Sequence, residues 1–251
     1  SYRLVGSEMC IRDSINTSHH NLEYLKNLKK DFLGNVKIVT FIHDILPITH
    51  PHFYDPKTIS QSSLRIECAI HNSDILLTSS DYNLKSIKSV FPVLKNEITK
   101  INLGSRILSQ ENLTGGIVPE KPFFVMIGTI EPRKNHEFII DLWIELIKSF
   151  GEPPKLIIIG KLGWCCESFI AKFKSLKKDY RKYIICKHNV PDSRISAYLQ
   201  SSIGMLSPSH VEGWGLNISE AKQFGKYVIA NKIESYLEQE YEKMIFPDTL
   251  T

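Results

Sequence analysis

Two glutamates stand eight residues apart in the stretch Ser207-Pro-Ser-His-Val-Glu212-Gly213-Trp214-Gly215-Leu216-Asn-Ile-Ser-Glu220. Gly213 and Gly215 lie in the turn between them, where a missing Cβ lets backbone N–H groups come close to a ligand. A helix beginning at Leu216 would add unpaired donors and a positive dipole end, which is a phosphate-binding arrangement. Carboxylates on either side accept hydrogen bonds from hydroxyls. A sugar joined through a diphosphate to a nucleoside presents its groups in that order: hydroxyls, anion, hydroxyls. On residue chemistry alone, a capped helix with two solvated glutamates fits equally well. A second group is Ile127-Gly128-Thr-Ile-Glu-Pro-Arg133-Lys134-Asn-His136. Two cations at the start of a helix oppose its dipole, so their presence there favours an anionic ligand over a purely structural role. Arg133 and Lys134 would form charge-assisted hydrogen bonds to a diphosphate and stabilise charge that grows as it leaves. A third group is His43-Asp44, with Ser79 and Ser80 in a comparable setting further on.

These groups need elements to position them. Val36–Ile42, Asp74–Ser80 and Glu97–Ile101 read as short buried strands. Lys57–His71 and the segment after Asp81 read as helices, with Asp81 as N-cap and Pro47 and Pro51 breaking the intervening chain into loop. Beyond Pro122 the rhythm restarts, with strands at Phe123–Ile127, Lys155–Ile159, Tyr183–Cys186, Ile203–Leu206 and Tyr227–Ala230. Helices are expected between them: one reaching Phe150, one around Phe169, Phe173 and Leu176, one from Asp192 through Leu199, and one over Leu216–Phe224. Strands and helices alternating every ~25–30 residues imply βαβ units and a parallel sheet. Ligands bind such sheets at the carboxyl ends of the strands, and all three groups fall there.

The 251 residues are 42% hydrophobic and 23% charged, an ordinary globular composition. A net charge of +4 falls short of a nucleic-acid footprint and suits an anionic small molecule or a weak peripheral contact with a membrane surface. The basic run Lys172, Lys174, Lys177, Lys178, Arg181 and Lys182 reads as a solvated helix face before it reads as a lipid contact. Five cysteines without a C-x-x-C pair read as reduced thiols and point to the cytoplasm; the weak peripheral contact would place the protein at the inner membrane face. No apolar run approaches the ~18 residues that a spanning helix needs. His50 and His52 have no third ligand at suitable spacing, so no metal is expected there.

The block from Ser207 to Glu220, continued by Ala-Lys-Gln-Phe-Gly225-Lys-Tyr-Val-Ile-Ala230, resembles the family 4 retaining glycosyltransferases. The Glu-Pro-Arg-Lys-Asn string and Phe41-Ile-His-Asp-Ile-Leu-Pro47 resemble that family's donor-site and first-domain motifs. The resemblance implies a GT-B-like α/β fold, two Rossmann-like parallel-sheet domains facing a cleft. It implies that Glu220 holds the donor ribose and that the backbone of Gly213, Trp214, Gly215 and Leu216 contacts the diphosphate. Arg133 and Lys134 become the leaving-group cations, while Glu212 and His43 become the catalytic pair beside the donor sugar. Asp44, Ser79 and Gly128 become cleft residues. The partners implied are a nucleotide-sugar donor and a glycan or lipid-linked acceptor. No cofactor is implied, because the cations and the helix terminus replace the metal of the Asp-x-Asp transferases, a pair this sequence lacks. The form of the donor motif resembles mannosyl- and related hexosyltransferases of polysaccharide assembly.

The organisation expected is a non-native leader over 1–14, a partial acceptor-side domain over 15–107, a linker over 108–122 rich in glycine and proline, and a nucleotide-sugar domain over 123–251. Several βα units of the family's first domain find no counterpart before Val36, and the family's last helices find none after Phe246. The chain is therefore expected to be part of a longer protein, with an unpaired edge on its first sheet. Two other functions stay open: a nucleotide-sugar epimerase on the same architecture, and a noncatalytic nucleotide-sugar-binding protein.

Overall fold

The strands of this chain are short and apolar on successive residues, and in the structure they build two separate parallel sheets. The computed structural model describes residues 38–94, 97–104 and 122–248. The chain divides into two compact units, Ser1–Leu103 and Gly104–Thr251. The expected leader and nearly all of the expected linker lie outside the described residues.

The first unit holds a three-stranded sheet of β1 (Val39–Ile42), β2 (Ile75–Thr78) and β3 (Glu97–Lys100) in sequential order, all parallel. Two helices, α2 (Pro56–Asn72) and α3 (Asp81–Val90), make the connections. Ile42, Ile66, Ile70, Leu76, Ile87 and Ile98 form its core. Sequence reasoning placed a loop between β1 and α2. The structure instead forms a short helix there, α1 (Leu46–Thr49), because Pro47 sits in the first turn, where a missing N–H costs nothing. The N-cap of α3 also differs from expectation. Ser80 caps it, its Oγ accepting from the N–H of Asn83 at 3.0 Å, and Asp81 is the first helical residue and pairs with Lys100.

The second unit is a six-stranded parallel sheet: β4 (Phe123–Ile127), β5 (Lys155–Ile159), β6 (Ile184–Lys187), β7 (Gly204–Ser207), β8 (Tyr227–Ala230) and β9 (Met244–Ile245). The helices are α4 (His136–Phe150), α5 (Glu167–Ser175), α6 (Asp192–Ser201), α7 (Leu216–Gln223) and α8 (Glu234–Leu237). α8 and β9 are too short to announce themselves in the sequence. Alternate residues of the strands face opposite layers. Val125, Ile127, Ile157, Ile159 and Met205 pack with Ile195, Leu199, Ile218 and Ala221 of α6 and α7. Met126, Leu156, Ile158 and Leu206 pack with Ile139, Ile140, Trp143 and Phe169 of α4 and α5. Both faces are covered, which is why these strands read as continuous apolar runs.

Strand order is β6-β5-β4-β7-β8-β9. Written from the first strand of the unit this is 3-2-1-4-5-6, the doubly wound dinucleotide-binding order, with its reversal between β4 and β7. Connections leave those two neighbouring strands toward opposite faces, so a crevice opens beyond their carboxyl ends. Gly160 lets β5 lie close to β4: a Cβ there would fall 1.9 Å from the Gly128 carbonyl oxygen.

Candidate functional site

β4 and β7 end at Ile127 and Ser207, on either side of the strand-order reversal. The segments that follow carry the two main groups singled out by the sequence. After β4 the chain passes through Gly128 at φ +145 and then a 3₁₀ turn, Pro132–Lys134. Asn135, left-handed at φ 59, turns it into α4. After β7 it runs through Gly213 and Trp214 to Gly215, at φ 88, which opens α7. Asn217 bridges the two strand ends, donating from Nδ2 to Ser207 Oγ at 3.1 Å and to the Ile127 carbonyl at 3.4 Å. The His210 N–H donates to the Arg133 carbonyl at 2.8 Å and joins the two segments. Asn231 anchors the second from below through the Pro208 and Ser209 carbonyls.

Where the segments meet, four charged side chains form a buried chain. Glu131 Oε1 lies 2.6 Å from Arg133 Nη2, and Arg133 Nη1 lies 2.5 Å from Glu212 Oε2. Glu212 Oε1 lies 2.5 Å from Lys134 Nζ and accepts from Ser209 Oγ at 2.9 Å. Arg133 also donates to the Val211 carbonyl at 3.1 Å. Glu131, Lys134 and Glu212 are 3%, 9% and 5% exposed. Two carboxylates face two cations, so the quartet is neutral in itself, as burial demands. Burial alone would raise the Glu212 carboxyl, but the Arg133 and Lys134 charges outweigh it and hold it down to about 2. It is therefore ionised at any ordinary pH. The Lys134 head stands at the Gly128 turn, within 3.6 Å of where a Cβ on that glycine would be.

His136, one step beyond the cations, adds no third charge. Burial and the Lys134 charge lower it to about 3, and its ring packs edge-on against Phe169 at 5.7 Å. Glu220 lies buried on the second turn of α7. Leu216, at the mouth of that helix, is exposed.

In the first unit, His43 follows β1, and its ring sits edge-on to Phe41 at 4.7 Å. Its carbonyl accepts from Asn83 Nδ2 at 2.5 Å and from Ser79 Oγ at 3.3 Å. Ser79 is buried and serves to hold the His43 backbone. Asp44 accepts from the Leu46 N–H at 3.1 Å and starts α1. Among the described residues no group of three His, Cys, Asp or Glu side chains is placed to hold a metal ion. No helix of the described residues is long and apolar enough to cross a membrane. Three of the six basic residues are engaged locally: Lys172 pairs with Asp141, Lys182 with Asp179, and Arg181 donates to the Leu176 and Lys174 carbonyls.

Sequence reasoning passed over Glu131, Ser209, Tyr236 and Gln239. Glu131 lay inside a quoted motif, and an acidic residue two places before an arginine was the available signal. Tyr236 and Gln239 lie in a segment with no periodicity, and nothing in it pointed to the turn they support. The Gly215 Cβ position is 2.5 Å from Tyr236 Cε1, and the Tyr236 hydroxyl is 2.7 Å from Ser207 Oγ. Burial, then the Glu212 charge, push that phenol well above its ordinary range, so it stays protonated.

Comparison with known proteins bears on the family and the fold. The family described as "Glycosyl transferases group 1" matches residues 113–243. The "Serotype-specific mannosyltransferase WbdA" of Escherichia coli is 25% identical over 214 residues, covering 78% of this chain and 26% of that protein. The chain thus spans about a quarter of the length of this relative. Among solved structures, WaaG, "a glycosyltransferase involved in lipopolysaccharide biosynthesis", superposes with a TM-score of 0.65 at 14% identity, covering 89% of this chain and 68% of its own. Anabaena Alr3699/HepE, solved with UDP and glucose, gives 0.64 at 15%, covering 90% and 62%. At these identities the likeness is one of fold, the α/β architecture of the GT-B glycosyltransferases.

Proposed function

The chain belongs to the group 1 glycosyl transferases, and from that membership we propose that it transfers a hexosyl group from a nucleotide-diphosphate sugar to a glycan or lipid-linked acceptor, with retention at the anomeric carbon. The observation that carries the reading is the buried quartet at the strand-order reversal. Arg133 and Lys134 are assembled there before any donor arrives, held by Glu131 and Glu212. An arriving diphosphate meets cations whose orientation is already set, so little reorganisation accompanies the growth of negative charge as the glycosyl bond breaks. Backbone N–H groups at the Gly213–Leu216 turn add to that stabilisation. Glu220 takes the ribose hydroxyls.

Glu212, ionised and beside the cations, steadies the positive charge that develops on the sugar ring. The His43 role at the same sugar rests on its motif alone. The acceptor hydroxyl attacks on the face from which the diphosphate departs. Mannose as the transferred sugar, polysaccharide assembly as the setting, and family 4 as the subgroup are supported by the likeness to WbdA and by the Glu-Pro-Arg-Lys-Asn string. No metal or other cofactor takes part in this reading. Placement in the cytoplasm, with work at the inner membrane face, goes with it.

The test is incubation with GDP-, UDP- and ADP-hexoses and a panel of glycan acceptors, with the anomeric proton of the product read by NMR. A product with the donor's anomeric configuration is expected. An inverted product overturns retention. Conversion of the donor with no acceptor present points to an epimerase instead.

A further inference from the structure

The carbonyls of the glycine turn do not face solvent. Gln239 follows α8 and is 6% exposed, and its side-chain Nε2 donates to the Trp214 carbonyl at 2.7 Å and to the Gly215 carbonyl at 3.1 Å. Its Oε1 accepts from Ser219 Oγ at 3.0 Å, and Ser219 Oγ accepts from the Trp214 indole N–H at 3.1 Å. Both polar ends of the amide are therefore in use, and they reach only the turn and the first turns of α7. Lys222 fixes the Gln239 backbone by donating to its carbonyl at 3.1 Å. A trans peptide points its C=O and N–H in opposite directions. With the Trp214 and Gly215 carbonyls drawn toward Gln239, the N–H groups of Gly215 and Leu216 point the other way. Neither has an acceptor among the described residues.

We propose that Gln239 is a positioning residue for transfer: it holds two consecutive carbonyls of the glycine turn inward so that the N–H groups of Gly215 and Leu216 are presented to the donor diphosphate. The assignment rests on the donor-site reading above. It explains why a buried amide stands in a segment whose buried Tyr236 packs against the same turn. Gln239 touches neither donor nor acceptor in this scheme and acts only through the backbone it orients.

Gln239→Glu keeps the shape but turns the donating end into an acceptor facing two carbonyls. The whole chain, wild type and variant, is titrated calorimetrically with UDP, GDP and ADP and with the matching monophosphates. Wild type is expected to prefer one diphosphate over its monophosphate. In the variant that preference is expected to shrink by about tenfold, while affinity for the monophosphate changes little. General loosening of the fold would weaken both alike and leave the ratio intact. A folded variant with the wild-type ratio overturns the proposal and leaves the donor site standing. If Gln239→Glu does not melt cooperatively, Gln239→Met, which removes the donor without adding charge, carries the same comparison. Should neither variant fold, Gln239 is a folding residue and the proposal falls. Wild type that binds none of the nucleotides overturns the donor-site reading itself, and this inference with it.

Discussion

Replacing Glu212 with glutamine removes one charge from the buried quartet while leaving its shape. Of the two cations only Arg133 then keeps a paired carboxylate, Glu131, and a net positive charge stays buried. Breaking a buried pair from one side costs ~3–5 kcal/mol, and an amide that still accepts hydrogen bonds should fall at the low end, about 3. The carboxyl's own titration gives an independent figure. It is held at about 2 in the fold, against 4.5 when exposed. That gap of about 2.5 units, at ~1.36 kcal/mol each, is about 3 kcal/mol. A depressed carboxylate contributes stability that is fully present above its unfolded value and is lost as pH falls toward its folded one. Wild type should therefore exceed Glu212→Gln by about 3 kcal/mol near neutral pH, or ~6–12 °C in Tm at ~2–4 °C per kcal/mol. Near pH 3 more than half of the Glu212 contribution is gone, and the gap should narrow to about 1.4 kcal/mol. Thermal melts of both proteins at the two pH values measure this directly, and carboxylates outside the quartet cancel in the difference. A gap that does not change with pH, or a variant as stable as wild type at neutral pH, refutes the claim that Glu212 is the ionised partner of both cations.

Lys134→Ala should weaken binding of the preferred nucleotide diphosphate by roughly 10- to 100-fold, the loss of one charge-assisted hydrogen bond at ~1.5–3 kcal/mol; calorimetric titration beside wild type checks it, and unchanged affinity removes Lys134 from the diphosphate site. Gly215→Ala places a Cβ 2.5 Å from the Tyr236 ring at a φ of 88, so it should cost ~2 kcal/mol or more in urea unfolding and also impair nucleotide binding. A variant as stable as wild type would show that the turn and Tyr236 yield easily.

Much of this architecture was legible in the sequence for a simple reason. Strands buried on both faces need uninterrupted apolar residues, and Phe123–Ile127 and Lys155–Ile159 were read to the residue. The glycines, the Arg133-Lys134 pair and the Glu212–Glu220 spacing are likewise local in the chain, so residue type and distance along the sequence were enough to single them out. The four-residue helices α1 and α8 fall short of the length at which a helical period shows, and the two-residue β9 is shorter than one alternation. The choice of Ser80 over Asp81 as cap was also beyond reach, since adjacent residues with similar capping chemistry are separated only by the backbone angles the fold imposes.

What tertiary structure alone decided is the pairing of distant residues. Strand order puts β4 beside β7, although 80 residues separate their carboxyl ends at Ile127 and Ser207. That adjacency brings Arg133 and Lys134 onto Glu212 and makes Glu131 a member of the same chain of charges. The return of the chain after β8 places Tyr236 and Gln239 behind a turn more than 20 residues earlier. Sequence by itself determined which groups could do chemistry and at which strand ends they would stand. The neutralisation of the cations, the ionised state of Glu212 and the direction in which the glycine turn faces depend on burial and on long-range contact, and only the folded chain supplies those.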